Sequence, residues 1–159
     1  MENGTGDIPR QLFVGAIAFL LRETFEGSPA GQPSAYLDRG IGFFSTLDAV
    51  SADAASREFG GTTIAAQTEH AKFYLDRLSE FIMGRNERVN WEDSWLIETV
   101  NAEEWDALRS TVRTAYENTL RSLAAVDDWT EDRTGMALGM IAHTAYHLGA
   151  VRQISKLSR

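Results

Sequence analysis

The chain carries three histidines, His70, His143 and His147, and no cysteine. The missing thiol excludes disulfides, thiolate zinc sites, iron–sulfur clusters and any nucleophilic step through the protein's own sulfur. Imidazole nitrogen is the remaining side-chain donor best suited to a transition metal. His143 and His147 are four residues apart, which on an α-helix sets them about 40° apart on one face, one turn above the other. Met136, Gly139, Met140, Ala150 and Ile154 share that face, so the pair points toward a core. A lone histidine on such a face is ordinarily a hydrogen-bonded core residue. Two neutral imidazoles one turn apart each need a partner, however, and one ion satisfies both. His70 sits at the edge of the apolar stripe of its own helix, about 100° from the stripe's centre, with Gln67, Tyr74 and Phe81 nearby on the wheel. That is a pocket-lining position and makes His70 the candidate third ligand.

Three neutral ligands leave at least one coordination position open, the arrangement of a catalytic zinc-type site rather than a closed structural one. An ion so held lowers the pKa of its water to about 7 and polarises a carbonyl, which suits hydrolysis and makes the bound water the candidate nucleophile. The same position could take a thiolate supplied from outside. No general base is evident. Glu69 points about 100° away from His70 and reads as a surface residue. Tyr74 and Tyr146 lie near the ligand faces and could donate hydrogen bonds to a substrate or water, although core aromatics with a polar tip need no such role. Arg152 falls nearly opposite His143 and reads as a surface or interface residue. Met136 and Met140 read as packing, because thioethers suit copper(I) better than the ions of a three-imidazole site.

The elements that must position these groups are helical, since no segment sustains the alternation of a strand. Residues 1–7 read as a disordered leader and 8–159 as one domain. A first helix is predicted from Pro9 to about Glu26 with Gly27 as its stop, followed by a Gly/Pro/Ser-rich linker through Pro33. A shorter piece starts near Ser34 or Ala35 and offers Tyr36, Leu37, Ile41, Phe43, Phe44 and Leu47 for burial, with one more turn after Ser51. The helix that carries His70 opens at Thr62 or Thr63 and ends near Met83. The segment Arg85 to Asn101 is irregular, and its Trp91 and Trp95 are expected to cap one end of the core. Long helices then span about Ala102 to Ala125 and Glu131 to Leu157. The expected fold is all-α, an up-and-down four-helix bundle with a broken first helix.

Composition narrows the partners. The net charge of −8 and pI near 4.8 oppose a phosphate backbone or an anionic membrane, both of which need a basic patch. The apolar run LFVGAIAFLL from Leu12 to Leu21 could be mistaken for a targeting signal, but the preceding MENGTGDIPR is net acidic. Ten residues also cannot cross about 30 Å of bilayer core as a helix. The run is expected to be a buried helix, and the chain cytoplasmic, binding neither nucleic acid nor membrane.

Two motifs carry a resemblance. TTIAAQTEHAKFYL, with a histidine after its first two turns, resembles the second helix of the DinB-like (YfiT-like) superfamily of helical-bundle metalloproteins. MIAHTAYHLGAVRQI, Met140 to Ile154, resembles that superfamily's last helix, with two histidines four apart and then an Arg-Gln pair. The turn LDAVSADAAS and the tryptophan-bearing linker fit as well, so the likeness runs from about residue 10 to the end. It implies a nickel or zinc site on His70, His143 and His147, a homodimer and an unknown small-molecule substrate. Ala150 departs from relatives that have glutamine there, so fine details of the pocket do not transfer. Three functions follow as expectations: a metal-dependent hydrolase, an S-transferase that uses an external low-molecular-weight thiol, or a non-catalytic metal-binding stress-response bundle. Turnover by the metalloprotein alone, turnover only with added thiol, and no turnover distinguish them.

Overall fold

The computed structural model describes residues 8–37 and 40–157, so the leader expected over residues 1–7 lies outside the described residues. Among the described residues are six α-helices and a 3-10 helix: α1 Arg10–Glu26, α2 Phe43–Asp48, α3 Ala52–Ala55, α4 Ile64–Ile82, the 3-10 helix Trp91–Trp95, α5 Ala102–Ala125 and α6 Glu131–Leu157. The one β-type contact among the described residues is an isolated bridge between Phe59 and Thr62. No helix of the described residues is long and apolar enough to cross a membrane.

Local chemistry sets the helix ends. The Thr63 hydroxyl caps α4 by accepting from the Ala66 N–H at 3.0 Å. Asn101 and Glu104 close a capping box on α5, with N–H bonds of 3.0 and 2.8 Å, which satisfies two backbone donors that a helix start leaves orphaned. α1 stops at Gly27, where φ is +89° and a Cβ would collide with the Gly40 carbonyl oxygen. That backbone conformation favours glycine.

The piece expected from Ser34 or Ala35 is not helical; regular helix begins only at Phe43. What organises the segment instead is Glu23, a carboxylate 3% exposed. It accepts the Ser34 hydroxyl and the N–H groups of Ala35, Tyr36 and Leu37, the last three at 2.9, 3.1 and 3.1 Å. These bonds satisfy the backbone donors of a segment that forms no helix. Burial pushes the Glu23 pKa up, but the bonds from Ser34 and the three N–H groups outweigh it and hold the group below the ordinary carboxylate range.

The core is continuous across all the helices except that α3 contributes only Ala55. Leu21 and Phe25 from α1, Phe43 and Leu47 from α2, Ile64, Leu75 and Ile82 from α4, Leu123 from α5 and Met140, Leu148 and Val151 from α6 are essentially fully buried. Each such side chain stabilises the fold by roughly 1.5–3 kcal/mol. The apolar run in α1 is only half sunk: Ile17 and Leu21 are buried, while Leu12 and Phe19 stay exposed.

Helix directions correct the expected up-and-down order. α4 and α6 are antiparallel: His70 meets His143, Leu78 lies against Gly139, and Arg133 approaches Gly84. α1 and α5 are antiparallel too, since Arg10 bonds Val126 while Phe25 stacks near Tyr116. α4 and α5, however, run parallel, with Thr63 bonded to Glu98 just before α5 and Ser79 bonded to Thr119 farther along both. The segment 83–101 is therefore a crossover that returns along the whole of α4. Trp91 packs on Phe81, Phe73 and Tyr74; Ser94 and Trp95 meet His70; Val100 pairs with Ser56. The tryptophans thus cover the flank of α4 rather than the end of the core. An up-and-down order needs short loops, and a strap this long can span the roughly 28 Å of a 19-residue helix.

Candidate metal centre

α4 and α6 bring the three histidines together. His143 Nε2 lies 3.1 Å from His70 Nε2 and 3.2 Å from His147 Nε2, and the three donor atoms fall within 4.8 Å of one another. His147 is buried, whereas His70 and His143 are half-buried. Gly139 and Met140 share the inward face of α6 with the pair, and Met140 is fully buried in the core rather than in the cluster.

Two neighbours fix the tautomers. The Ser94 hydroxyl donates its single proton to the Trp91 carbonyl at 2.6 Å, so toward His70 Nδ1, 2.7 Å away, Ser94 Oγ accepts. The Gln67 amide nitrogen donates to Thr62 Oγ1 at 3.0 Å, which turns Gln67 Oε1 toward His147 Nδ1 at 2.6 Å. Both rings therefore carry their proton on Nδ1 and aim an Nε2 lone pair at the centre. His143 Nδ1 is buried without a hydrogen-bond partner among the described residues. Its ring is instead clamped by Tyr74, stacked at 3.7 Å with 12° between planes.

The environment keeps the imidazoles neutral. Burial lowers the His147 pKa to about 3, helped by the charges that His143 and His70 would carry. Burial and then His70 lower that of His143 to about 4, and burial lowers His70 as well. Neutral imidazole is the ligand form.

This donor set fits a divalent transition ion. Bonds of about 2.0–2.1 Å at tetrahedral angles give nitrogen–nitrogen edges of about 3.3 Å, close to the two separations here. Converging lone pairs repel unless a proton or a cation lies between them. A hydrogen bond donated by the His70 and His147 Nδ1 atoms to an oxygen outside the cluster is the usual support of a metal-ligating imidazole.

Other sequence candidates fall outside the donor set. Tyr74 stacks on His143 as described. Tyr146 lies on the outer face of α6, 71% exposed, its ring edge-on to His147 at 5.0 Å between centroids. Glu69 pairs with Lys72 at 3.9 Å, burial raising its pKa, and no carboxylate joins the cluster among the described residues. Arg152 lies close enough to Tyr36 to influence its hydroxyl.

Sequence reasoning missed Ser94, assigned Trp95 to capping the core and gave Gln67 no role. Trp95 stacks on His70 with centroids 3.9 Å apart and 17° between planes. Gln67 was visible as a neighbour on the helix wheel, but its partner is eighty residues away; nothing local marked Ser94. Beside Gln67 and Trp95 opens a cavity of about 520 Å³, bounded by the start of α4, the segment before it and the crossover. No protein-family model, curated protein or solved structure matches the chain.

Proposed function

We propose that His70, His143 and His147 hold one divalent transition ion, nickel or zinc, and that the chain is a DinB-like metal-dependent hydrolase. The observation that carries this reading is the convergence of Nε2 atoms whose lone pairs Ser94 and Gln67 aim at a common point. The ion supplies Lewis acidity to a water or a carbonyl at the coordination position that three protein ligands leave open.

The chain's own residues do the rest. Ser94 and Gln67 hold two of the three imidazoles in the ligating tautomer. Tyr74 fixes the His143 ring plane, and Trp95 covers one face of His70 against water. Hydrolysis is favoured over binding alone because a cavity lies beside the cluster, separated from it by Gln67 and Trp95.

The test is turnover of p-nitrophenyl acetate and a nitroanilide by metal-loaded protein, with and without a small thiol, beside His143→Ala. Turnover without thiol, lost in the variant, supports the hydrolase. Turnover only with thiol replaces it with an S-transferase. Bound metal without either activity leaves a binding protein.

The homodimer implied by the resemblance draws support from the outer surfaces of α1 and α6. Leu12 and Phe19 on α1 and Leu138 and Tyr146 on α6 are exposed, and a Cβ at Gly15, Gly135 or Gly149 would meet nothing within 4 Å. Glycine inside a helix costs about 0.5–1 kcal/mol relative to alanine, and the protomer gives these three no packing reason. Close approach of a second copy's helices accounts for both features.

A further inference from the structure

The cavity beside the cluster has a volume in the range of small-molecule sites, about 300–1,000 Å³. Its walls include Glu58, Thr62, Gln67, Trp95, Glu98 and Thr99, so it brings together two carboxylates, an indole and hydroxyl groups. No lysine, arginine or histidine is among its lining residues. Two wall residues also touch the histidines: Gln67 bonds His147 at 2.6 Å, and Trp95 stacks on His70. A molecule filling the cavity is therefore one side chain away from the donor cluster.

The wall chemistry selects charge. Glu58 and Glu98 are exposed, and carboxylates beside a partly enclosed space raise the local concentration of cations and repel anions. An aromatic face adds attraction for an organic ammonium that it does not offer a neutral molecule. Glu58 is held in place by the Gly61 N–H, which it accepts at 2.6 Å, and the Glu98 backbone is tied to Thr63 at 2.7 Å. Glu58 is thus held through its carboxylate and Glu98 through its backbone. The net charge of −8 works in the same direction at longer range.

We infer that this cavity binds the ammonium end of a small organic amine. Its alkyl or aryl part lies along Trp95, which directs the remainder of the molecule toward the histidines. That last orientation, which makes the amine the substrate class, rests on the proposed metal centre; the cavity's preference for a cation does not.

Calorimetric titration with three probes of similar shape tests it: phenethylammonium, 2-phenylethanol and 3-phenylpropanoate, each against metal-loaded and metal-free protein whose metal content is measured separately. Phenethylammonium is expected to bind about tenfold more tightly than the alcohol, with the carboxylate weakest. The preference falls to near parity in Glu58→Gln/Glu98→Gln. Circular dichroism checks the fold of that variant, and Glu98→Gln alone serves if the double substitution unfolds it. Equal binding of the three probes, no binding of phenethylammonium at millimolar concentration, or a preference that survives the substitutions overturns the proposal. Cation preference in protein that takes up no metal leaves the cavity standing and removes the metal centre. Stoichiometric metal without cation preference does the reverse.

Discussion

His147 Nδ1 and Gln67 Oε1 meet at 2.6 Å across the α4–α6 contact, eighty residues apart in the chain. The bond is buried, and Gln67 is itself oriented by Thr62. It links the tautomer of a ligand on the last helix to the packing of the helix that carries His70.

Removing that acceptor frees the His147 ring to take the other tautomer and leaves its Nδ1–H unsatisfied. Gln67→Leu is expected to weaken zinc binding about 10–100-fold, whereas Gln67→Glu keeps the acceptor and the affinity. Competition with a chromophoric chelator measures both. Unchanged affinity in Gln67→Leu would deny Gln67 its positioning role.

Acid should destabilise the metal-free protein through the same histidines. Unfolded imidazoles protonate near 6.5, whereas burial and mutual repulsion hold His143 near 4 and His147 near 3 in the fold. The unfolded chain therefore binds more protons between those limits, so stability is full above about pH 6.5 and is lost as pH falls toward 3. Glu23, held below 4.5, acts in the same sense at the acid end, and Glu69, raised, acts in the opposite one. Urea unfolding of metal-free protein from pH 7 to pH 4 is expected to show this slope, flatter in His143→Gln. An identical slope in the variant would contradict it.

Glu23→Gln removes the charge that organises residues 34–37 while keeping the side chain's shape. With several bonds to a buried charged acceptor weakened, the cost is expected at about 1.5–3 kcal/mol, read as a lower urea midpoint with unchanged m-value. A loss below about 0.5 kcal/mol, the scale of ordinary surface substitutions, would mean that the linker is held by something else.

The dimer reading predicts that Leu138→Arg, placed on an exposed position of α6, yields monomer by light scattering while the wild type is dimeric. A dimeric variant would move the interface away from this face.

Much of the helical layout was legible because caps and periodicity are local. The spans read for α5 and α6, 102–125 and 131–157, coincide with the observed helices, and Thr63 marked the start of α4 through its side chain. Periodicity says which face of a helix is inward, not which way the helix runs, so the parallel α4–α5 pair was not readable. Ser34 to Leu37 are a second case: the apolar pattern suits a helix, but the segment is organised by a carboxylate eleven residues upstream of Ser34. The histidine pair on α6 was legible as a shared face. That His70 faces it, and that Ser94 and Gln67 orient the rings, depends on contacts between segments distant in sequence.

The most direct test of the account is metal content by mass spectrometry on tag-free protein purified without added metal, wild type beside His143→Ala and His147→Ala. The account predicts close to one nickel or zinc per chain in the wild type and its loss in both variants, with helical content retained. Wild-type protein that is empty, and stays empty after incubation with zinc, nickel, cobalt and manganese, would contradict it.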